Sequence, residues 1–299
     1  MTPAHAVGVD VGGTKAVAVR LGPDGMVLDR ARVETPADDV PALLAAMLDV
    51  TQAVLDPGVT VIGVGAAGLV EAGTGRIRYA PNIAWREVDL IHVLSPCGLP
   101  VVVDNDCTAA TVGELVAGAA RGVANLLYVG VGTGIGGGLV SEGRVIRGAH
   151  GFAGEIGHIV VDPGGVRCGC GMIGCWETVA SGSAITRLGR EQLAPDIDGA
   201  DVVAAARDGD HVAAKIMEMV GARLGAGIGG LVNVLDPEVV VVGGGAAVGA
   251  GELLLEPARR AFVATVEGAG HRPGVPLLSA ALGADGAAIG AALWAAGAS

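Results

Sequence analysis

The segment Gly8-Val-Asp-Val-Gly-Gly-Thr14 joins two apolar runs, and a similar segment, Val129-Gly-Val-Gly-Thr-Gly134, joins two more near the middle of the chain. From each of them the sequence continues through strand-like and helix-like stretches in the order β-β-β-α-β-α-β-α. This repetition predicts an α/β protein built from two similar halves, each a mixed sheet with flanking helices. We expect a smaller lobe at residues 1–120 plus 284–299, a larger lobe at residues 121–283, and a ligand site in the cleft between them.

The spacing of apolar and capping residues predicts individual elements as well. A helix is expected to begin at Asp38-Asp39-Val40-Pro41, where carboxylates precede a proline in the first turn. A short helix is expected near Glu87–Leu94, and a long one over residues 211–234. Between these two helices, the sequence from about residue 148 to residue 200 predicts an irregular insertion.

The composition excludes several classes of protein. The 299 residues carry 19 basic and 31 acidic side chains, and the resulting net charge of −12 opposes binding to nucleic acid or to an anionic membrane. The uncharged runs are either rich in glycine or too short for a spanning helix, and the first ten residues lack the pattern of a signal peptide. We therefore expect a soluble, cytoplasmic protein with no nucleic-acid or membrane partner.

The first glycine segment has the composition of a phosphate-binding hairpin. Gly12 and Gly13 let backbone N–H groups approach a phosphate closely, and Thr14 and Lys15 add side-chain donors. Lys15 is one of only two lysines in the chain. Asp10, at the end of a predicted strand, is suited to hold Mg²⁺ through water. The alternative interpretation is an ordinary glycine hairpin with a polar tip.

The second glycine segment, Gly132-Thr-Gly-Ile-Gly-Gly-Gly138, matches the GxGxxG pattern of dinucleotide-binding proteins. That pattern requires a helix directly after it, whereas the strand-like Leu139-Val140 follows here. A second phosphate-binding hairpin therefore fits the sequence better. A third cluster, Gly243-Gly244-Gly245, either packs against an adenine ring or forms a tight turn between a strand and a helix.

Asp104-Asn105-Asp106 lies between a predicted strand and a predicted helix, and it allows two interpretations. Carboxylates at the carboxyl end of a strand are well placed for catalysis in α/β proteins, and one of these aspartates could take a proton from an attacking hydroxyl. Asp and Asn are also good helix N-caps. The spacing alone leaves both interpretations open.

Cysteine is clustered. Three of the five cysteines, Cys168, Cys170 and Cys175, lie within eight residues, and His158 lies ten residues before the first of them. Three thiolates and one imidazole make a closed tetrahedral Zn²⁺ site with no open position, which is typical of structural zinc. Buried free thiols and a redox pair are the alternatives, and His150 competes with His158 for the fourth position.

Seven segments, in order along the chain, together resemble the ROK (repressor/ORF/kinase) family of bacterial sugar kinases, and look most like its ATP-dependent glucokinases. The segments are DVGGTK (10–15), GAAGLV (65–70), PNIAW (81–85), NDCTAATVGE (105–114), GTGIGGG (132–138), GEIGH (154–158) and CGCGMIGCWE (168–177). The resemblance implies a two-lobed, actin-like ATPase fold of the ribonuclease H-like type. It also implies ATP and Mg²⁺ in the cleft, and phosphoryl transfer to a sugar 6-hydroxyl.

The resemblance further implies a role for individual residues. Asp106 would be the general base. The sugar would be bound by Gly68, Asn82, Asn105, Asp106, Glu155, His158 and Glu177. ATP would be bound by Asp10, Gly12, Gly13, Thr14, Lys15, Gly132, Thr133, Gly134, Gly136 and Gly244. Structural Zn²⁺ would be bound by His158, Cys168, Cys170 and Cys175, so that one nitrogen of His158 meets the metal and the other meets the sugar.

The chain departs from the family pattern at one point, since Thr108 stands where a second asparagine is usual and Cys107 stands beside the implied base. Glucose is the expected sugar, with N-acetylmannosamine, N-acetylglucosamine and fructose as alternatives and a non-catalytic sugar sensor as a further one. The DNA-binding repressors of the family carry an additional segment ahead of the kinase-like fold. Because the phosphate motif begins at Asp10 and the net charge is −12, we do not expect a repressor. Polyphosphate-dependent relatives lack the cysteine cluster, so ATP is the expected donor. The family pattern implies a homodimer, with a tetramer as the alternative.

Overall fold

The computed structural model describes residues 5–297, which form thirteen strands and ten α-helices. The strands are β1 (His5–Val11), β2 (Lys15–Leu21), β3 (Val27–Glu34), β4 (Val59–Ala66), β5 (Leu69–Val70), β6 (Arg76–Tyr79), β7 (Arg86–Asp89), β8 (Val101–Asn105), β9 (Leu126–Val131), β10 (Ile135–Ser141), β11 (Arg144–Val145), β12 (Val239–Gly243) and β13 (Leu277–Ser279). The helices are α1 (Val40–Ala53), α2 (Leu90–Leu94), α3 (Asp106–Val116), α4 (Glu177–Ala180), α5 (Gly182–Gln192), α6 (Gly199–Arg207), α7 (His211–Leu235), α8 (Gly245–Ala250), α9 (Glu252–Thr265) and α10 (Gly286–Ala295). Among these described helices, none has both the length and the apolar character needed to cross a membrane.

The first sheet has the strand order β3-β2-β1-β4-β8. β1 pairs antiparallel with β2 and parallel with β4, while β2 pairs antiparallel with β3 and β4 pairs parallel with β8. The central strands are nearly continuous apolar runs because both faces of the sheet are covered. Val7, Val9, Ala16 and Ala18 are all fully buried. The strands predicted around the first glycine segment are thereby confirmed.

The second sheet repeats this plan with the order β11-β10-β9-β12-β13. β10 pairs antiparallel with β11, and β12 pairs parallel with β13. When the five strands of each sheet are counted in chain order, both sheets have the spatial order third, second, first, fourth, fifth. The duplicated α/β architecture predicted from the two glycine segments is therefore confirmed.

The helix predicted near Glu87–Leu94 is wrong in its first half. Residues Arg86–Asp89 form β7, which completes a three-stranded antiparallel sheet with β5 and β6, and only Leu90–Leu94 is helical. The helix begins late because Asp89 caps it: its carboxylate accepts a hydrogen bond from the His92 N–H at 3.0 Å. Arg86 lies opposite Tyr79 in the sheet, with its guanidinium carbon 4.4 Å from the ring centroid. Cross-strand contacts, which apolar spacing does not reveal, set this boundary.

The insertion expected to be irregular from about 148 to 200 contains regular helices in its second part. α5 covers Gly182–Gln192, and its N-cap Ser181 accepts a hydrogen bond from the Ala184 N–H. α6 begins at Gly199 behind a capping box formed by Asp198 and Asp201. The glycines in this stretch lower helix propensity, and the caps with the buried apolar side chains of α5 outweigh that effect.

Contacts within the chain divide it into two compact units. The first consists of Met1–Tyr128, Gly138–Gly154 and Ala284–Ser299, and the second of Val129–Gly137 and Glu155–Gly283. Residues 1–4 and 298–299, which the sequence assigns to the smaller lobe, lie outside the described residues. The boundaries of the lobes at 1–120 plus 284–299 and at 121–283 stay predictions.

Helix α10 packs in the first unit against β1, β4 and α3. Two glycines on adjacent strands permit this close approach. A Cβ on Gly8 would overlap the carbonyl oxygen of Ala288, and a Cβ on Gly63 would overlap that of Ala291. The helix backbone therefore lies directly on the sheet, where side chains would hold it away.

We expect Gly8→Ala to destabilise the protein by about 1–3 kcal/mol, because the added methyl group forces α10 away from the sheet. Gly230→Ala is the matched control, since an added Cβ on this exposed glycine of α7 meets no atom within 4 Å. The control is expected to be neutral or slightly stabilising. Urea denaturation of the three proteins measures both effects, and equal midpoints for Gly8→Ala and the wild type would contradict the packing argument.

Candidate active site

The first glycine hairpin connects β1 to β2 in the first unit. The Gly12 N–H donates a hydrogen bond to the Lys15 carbonyl at 3.0 Å and closes the turn. Thr35 pairs with two further carbonyls: its hydroxyl donates to Gly12 O at 2.8 Å and its N–H donates to Thr14 O at 3.2 Å. Carbonyl oxygens that are already paired repel an anion less, so this hairpin is suited to present N–H groups to a phosphate. The sequence carried no signal for the part played by Thr35.

Asp10 lies near the end of β1, beside the first turn of α3. It is opposite Gly65 of β4, and a Cβ on Gly65 would be 3.3 Å from the Cα of Asp106. The absence of a side chain at Gly65 therefore brings Asp106 close to Asp10. Burial and the charge of Asp106 raise the pKa of the Asp10 carboxyl to about 7, although Lys15 acts in the opposite direction.

The three polar residues Asp104, Asn105 and Asp106, where β8 meets α3, differ in their hydrogen bonds. Asn105 is the N-cap of α3, since its side-chain oxygen accepts hydrogen bonds from the N–H groups of Cys107 at 2.9 Å and Thr108 at 3.1 Å. Its amide nitrogen donates to the carbonyl of Gly68 at 3.2 Å. The capping interpretation thus holds for Asn105, and these contacts bring two of the predicted sugar ligands, Gly68 and Asn105, together.

Asp104 is buried, and its carboxylate pairs with the side chain of Arg147. Its carboxylate accepts a hydrogen bond at 2.7 Å from Nε of Arg147, whose guanidinium also lies over the ring of Trp294, 4.9 Å from its centroid. Burial raises the pKa of the Asp104 carboxyl, and the Arg147 charge partly offsets the rise. Asp104 therefore has a structural partner and is not available as a base. Arg147 is a residue that the sequence pattern did not single out.

Asp106 is the first residue of α3 and is half-buried. Its carboxylate accepts a hydrogen bond from the Cys107 N–H at 2.8 Å, and burial raises its pKa while this hydrogen bond acts in the opposite direction. A carboxylate of raised basicity is suited to accept a proton from a hydroxyl group. Of the two aspartates that the sequence offered, Asp106 is the one placed beside Asp10.

The second glycine hairpin lies in the second unit, between β9 and β10. The Gly132 N–H donates to Gly134 O at 3.0 Å, and the first turn of α5 covers the remaining carbonyls. The Gly182 N–H donates to Gly132 O at 2.9 Å, and the Ser183 N–H donates to Thr133 O at 3.2 Å. The hairpin is thus built like the first, with its carbonyls occupied and Thr133 exposed at the tip.

Gly244 follows β12 and belongs to the same unit. Its φ of +87° lies in the left-handed region, and a Cβ there would be 2.5 Å from the Val131 carbonyl oxygen. Both conditions require glycine at this position. The strand-to-helix turn proposed from the sequence is therefore present, directly against the last residue of β9.

The four predicted zinc ligands come together in the second unit. The ligand atoms of His158, Cys168, Cys170 and Cys175 all lie within 4.8 Å of one another. Cys170 Sγ is 3.7 Å from Cys175 Sγ, and Cys168 Sγ is 3.7 Å from His158 Nδ1. A tetrahedral Zn²⁺ with bonds of about 2.3 Å to sulfur requires sulfur atoms about 3.8 Å apart. The donor set and its spacing fit Zn²⁺, and among the described residues the fourth position belongs to His158 and not to His150.

A glycine-rich hairpin shapes this cluster. Antiparallel bridges join Val160 to Cys175 and Arg167 to Ile173, and the Cys168 N–H donates to Met172 O at 2.8 Å. Burial raises the pKa of the Cys168 thiol, as does the neighbouring Glu177 carboxylate. A bound Zn²⁺ reverses that effect, because it stabilises the thiolate.

Two carboxylates flank His158. Glu155 Oε2 is 3.8 Å from His158 Nε2, and Glu177 Oε1 is 3.7 Å from His158 Nδ1. Glu177 Oε1 also accepts from the Cys168 thiol at 2.8 Å, and its Oε2 accepts from the Ile135 N–H at 3.3 Å. Glu177 therefore joins the cysteine cluster to the second glycine hairpin. The structure brings Glu155, His158 and Glu177 together within the second unit, as the sequence motifs require.

Asn82, the remaining predicted sugar ligand, lies exposed in a loop between β6 and β7 of the first unit. A Cβ on Gly13 would be 3.2 Å from the Asn82 carbonyl oxygen, so this loop lies against the first glycine hairpin. The Ala84 N–H donates to Ala37 O at 2.9 Å and ties the loop to the segment that follows β3. Asn82 thus lies next to the predicted phosphate site of the same unit.

Comparison with known proteins identifies the fold and the family. The fold is the actin-like ATPase fold: the solved structure of a ROK family glucokinase from Streptomyces griseus in complex with glucose and AMPPNP matches with a TM-score of 0.90 and 35% identity, over 98% of this chain and 99% of that one. The model of the ROK family matches residues 6–298. The chain belongs to the ROK family.

Curated relatives include both glucokinases and another sugar kinase. A glucokinase of Halalkalibacterium halodurans is 40% identical over 86% of this chain and 85% of its own length, and one of Streptomyces coelicolor is 36% identical over 96% of both chains. An N-acetylmannosamine kinase of Escherichia coli is 32% identical over 93% of this chain and 97% of its own length.

Proposed function

We propose that this protein transfers the terminal phosphoryl group of ATP to the 6-hydroxyl of glucose. That it is a hexokinase-type phosphotransferase follows from its family and its glucokinase relatives. The observation that carries the finer assignment is the half-buried Asp106 at the start of α3, beside Asp10 and the first glycine hairpin. Phosphoryl transfer needs a positioned base and groups that stabilise charge, and these residues supply both.

Asp106 acts as the general base in this proposal. Its carboxylate takes the proton of the sugar 6-hydroxyl as the oxygen attacks the terminal phosphorus of ATP, and ADP leaves. The raised pKa of Asp106 makes the carboxylate a better proton acceptor. Asn105 holds the first turn of α3 and so orients the base.

Each glycine hairpin is a phosphate-binding element of its own unit in this proposal. Hydrogen bonds occupy carbonyls of both hairpins, and the Thr14, Lys15 and Thr133 side chains offer donors for the anion. Asp10 is a hard oxygen donor at a strand end, and this fits Mg²⁺ held through water. When bound, Mg²⁺ supplies neutralisation of the charge on the phosphates. The function of Asp10 is to hold that ion, while Lys15 adds a fixed positive charge nearby.

The zinc site is structural in this proposal. Its four protein ligands fill a tetrahedron and leave no position for a substrate. Bound Zn²⁺ would hold His158 in place, and His158 lies between Glu155 and Glu177, the proposed acceptors for sugar hydroxyls. The metal therefore acts on sugar binding through the protein and takes no part in the transfer itself.

The identity of the sugar is tested by measuring ADP formation by the purified protein with ATP and Mg²⁺. Glucose, mannose, fructose, N-acetylglucosamine and N-acetylmannosamine are compared, and zinc is determined in the same sample. We expect the highest kcat/KM with glucose. A preference for N-acetylmannosamine, the substrate named for the Escherichia coli relative, would correct the sugar only. No turnover with any sugar in zinc-replete protein would favour a sugar sensor.

A further inference from the structure

One side chain, that of Arg86, contacts the backbone of the loop of residues 80–85, which carries Asn82, at three points. Arg86 follows the loop as the first residue of β7, and its Nη1 donates hydrogen bonds to three loop carbonyls: Ala80 at 3.0 Å, Ile83 at 2.9 Å and Trp85 at 2.6 Å. One charged donor group thus gathers carbonyls from both ends and the middle of the loop. Hydrogen bonds from a charged donor are the stronger class in proteins.

Arg86 is itself fixed by a neighbour. Its guanidinium carbon lies 4.4 Å from the centroid of the Tyr79 ring, and the two residues are partners across β6 and β7. A planar guanidinium stacks on an aromatic face better than an ammonium group does. The side chain is therefore held on one side by the ring and on the other by the loop carbonyls.

Buried side chains anchor the loop on both sides of its exposed tip, and Arg86 binds the backbone around that tip. The side chains of Ala80, Ile83 and Trp85 are buried, whereas Asn82 is exposed. The carbonyls that Arg86 binds belong to the three buried residues, so the guanidinium fixes the backbone on both sides of Asn82. On its other side the loop lies against Gly13 of the first glycine hairpin.

We propose that Arg86 is a positioning residue for sugar binding, which keeps the loop of residues 80–85 in the one conformation that presents Asn82 to the sugar. This inference rests on the proposed function and on the family resemblance, which implies that Asn82 is a sugar ligand. When a binding-competent conformation is only a fraction of the population, the apparent dissociation constant rises by the inverse of that fraction. Loss of Arg86 should therefore weaken sugar binding while the chemical step, which depends on Asp106 in α3, changes little.

The test compares Arg86→Gln and Arg86→Lys with Arg78→Gln. Arg78 lies on β6 of the same small sheet, and its guanidinium pairs with Glu71 at 2.7 Å and Glu87 at 2.6 Å. We expect Arg86→Gln to raise the KM for glucose about tenfold with kcat within about twofold of the wild type. Arg86→Lys keeps the charge but loses the planar guanidinium, and should give an intermediate KM. Arg78→Gln should leave both constants unchanged.

A double-mutant cycle with Asn82→Ala separates positioning from general destabilisation. If Arg86 acts through Asn82, Arg86→Gln adds less than twofold to the KM of Asn82→Ala. Additive effects, or a fall in kcat at unchanged KM, would overturn the inference. Calorimetry measures the glucose affinity of the same variants and does not depend on turnover. If Arg86→Gln does not fold, Arg86→Lys takes its place in the cycle.

The outcomes distinguish this inference from the proposed function. Wild-type protein that phosphorylates glucose, with unchanged KM in Arg86→Gln, overturns the part played by Arg86 alone. Unchanged glucose affinity in Asn82→Ala removes Asn82 from the sugar site and the inference with it. Absence of glucose binding and of turnover in the wild type overturns both.

Discussion

Asp106→Asn is expected to lower kcat for glucose phosphorylation by about 10²–10⁴-fold, the contribution typical of a general base. The amide is close in size to the carboxylate and can still accept the Cys107 N–H, so the start of α3 should be preserved. What is lost is the ability to take the proton of the attacking hydroxyl. KM for ATP should change little, because the glycine hairpins retain their backbone N–H groups.

The pH dependence gives a second readout for the same residue. Burial raises the pKa of Asp106, so the wild-type enzyme should lose activity as the pH falls and this carboxylate becomes protonated. That acidic limb should be absent or reduced in Asp106→Asn. Steady-state rates from about pH 5 to pH 9 measure it. An unaltered kcat in the variant would remove Asp106 from the reaction.

Asp104→Asn is the control for Asp106→Asn. Asp104 is also buried and lies two residues away, but its carboxylate pairs with Arg147. Neutralising it leaves the guanidinium without its partner, so we expect reduced thermal stability with a much smaller effect on kcat. A loss of kcat equal to that of Asp106→Asn would contradict the separation of structural and catalytic aspartates drawn from the geometry.

Cys168→Ser is expected to abolish stoichiometric zinc binding and to weaken glucose binding by about 10–100-fold. Mutation of residues that support metal ligands lowers metal affinity or activity by about that range. Cys168 contacts both His158 and Glu177, so its loss disturbs the metal cluster and the proposed sugar ligands together. Removal of zinc from the wild-type protein by a strong chelator should have the same effect, reversed by added Zn²⁺.

Cys97→Ser is the matched control for the zinc prediction. Cys97 is a free cysteine in a short turn after α2, and it belongs to the first unit. Metal content by plasma emission, the melting temperature and glucose affinity should all equal those of the wild type. If Cys168→Ser contained no zinc and bound glucose with unchanged affinity, the cluster would not support the sugar site.

The sequence predicted which candidate site residues lie together better than it predicted their surroundings. The spacing of Cys168, Cys170 and Cys175 indicated zinc because few other chemistries need three thiols so close together, and the structure gathers them with His158. The glycine hairpins were recognisable because a strand follows each of them. In contrast, the carbonyl pairing by Thr35 and Ser183 is made by residues distant in sequence, and no local pattern marks them.

The errors in the predicted elements have the same physical origin. Glu87 was assigned to a helix because apolar spacing ignores the pairing of β7 with β6 and the cap supplied by Asp89. α5 was missed because its glycines lower the intrinsic propensity, while burial against the rest of the second unit compensates. Tertiary contacts decided both cases, and a single sequence does not display them.

The packing of α10 on β1 and β4 has a consequence for synthesis. The helix that covers these strands is encoded after the whole second unit, so a growing polypeptide emerges with the apolar valines of β1 and β4 already made and their cover still absent. A domain formed by one continuous segment can fold as it leaves the ribosome, whereas the first unit is complete only once α10 has been synthesised. The nascent chain therefore exposes the face of this sheet that α10 covers until that helix has been synthesised.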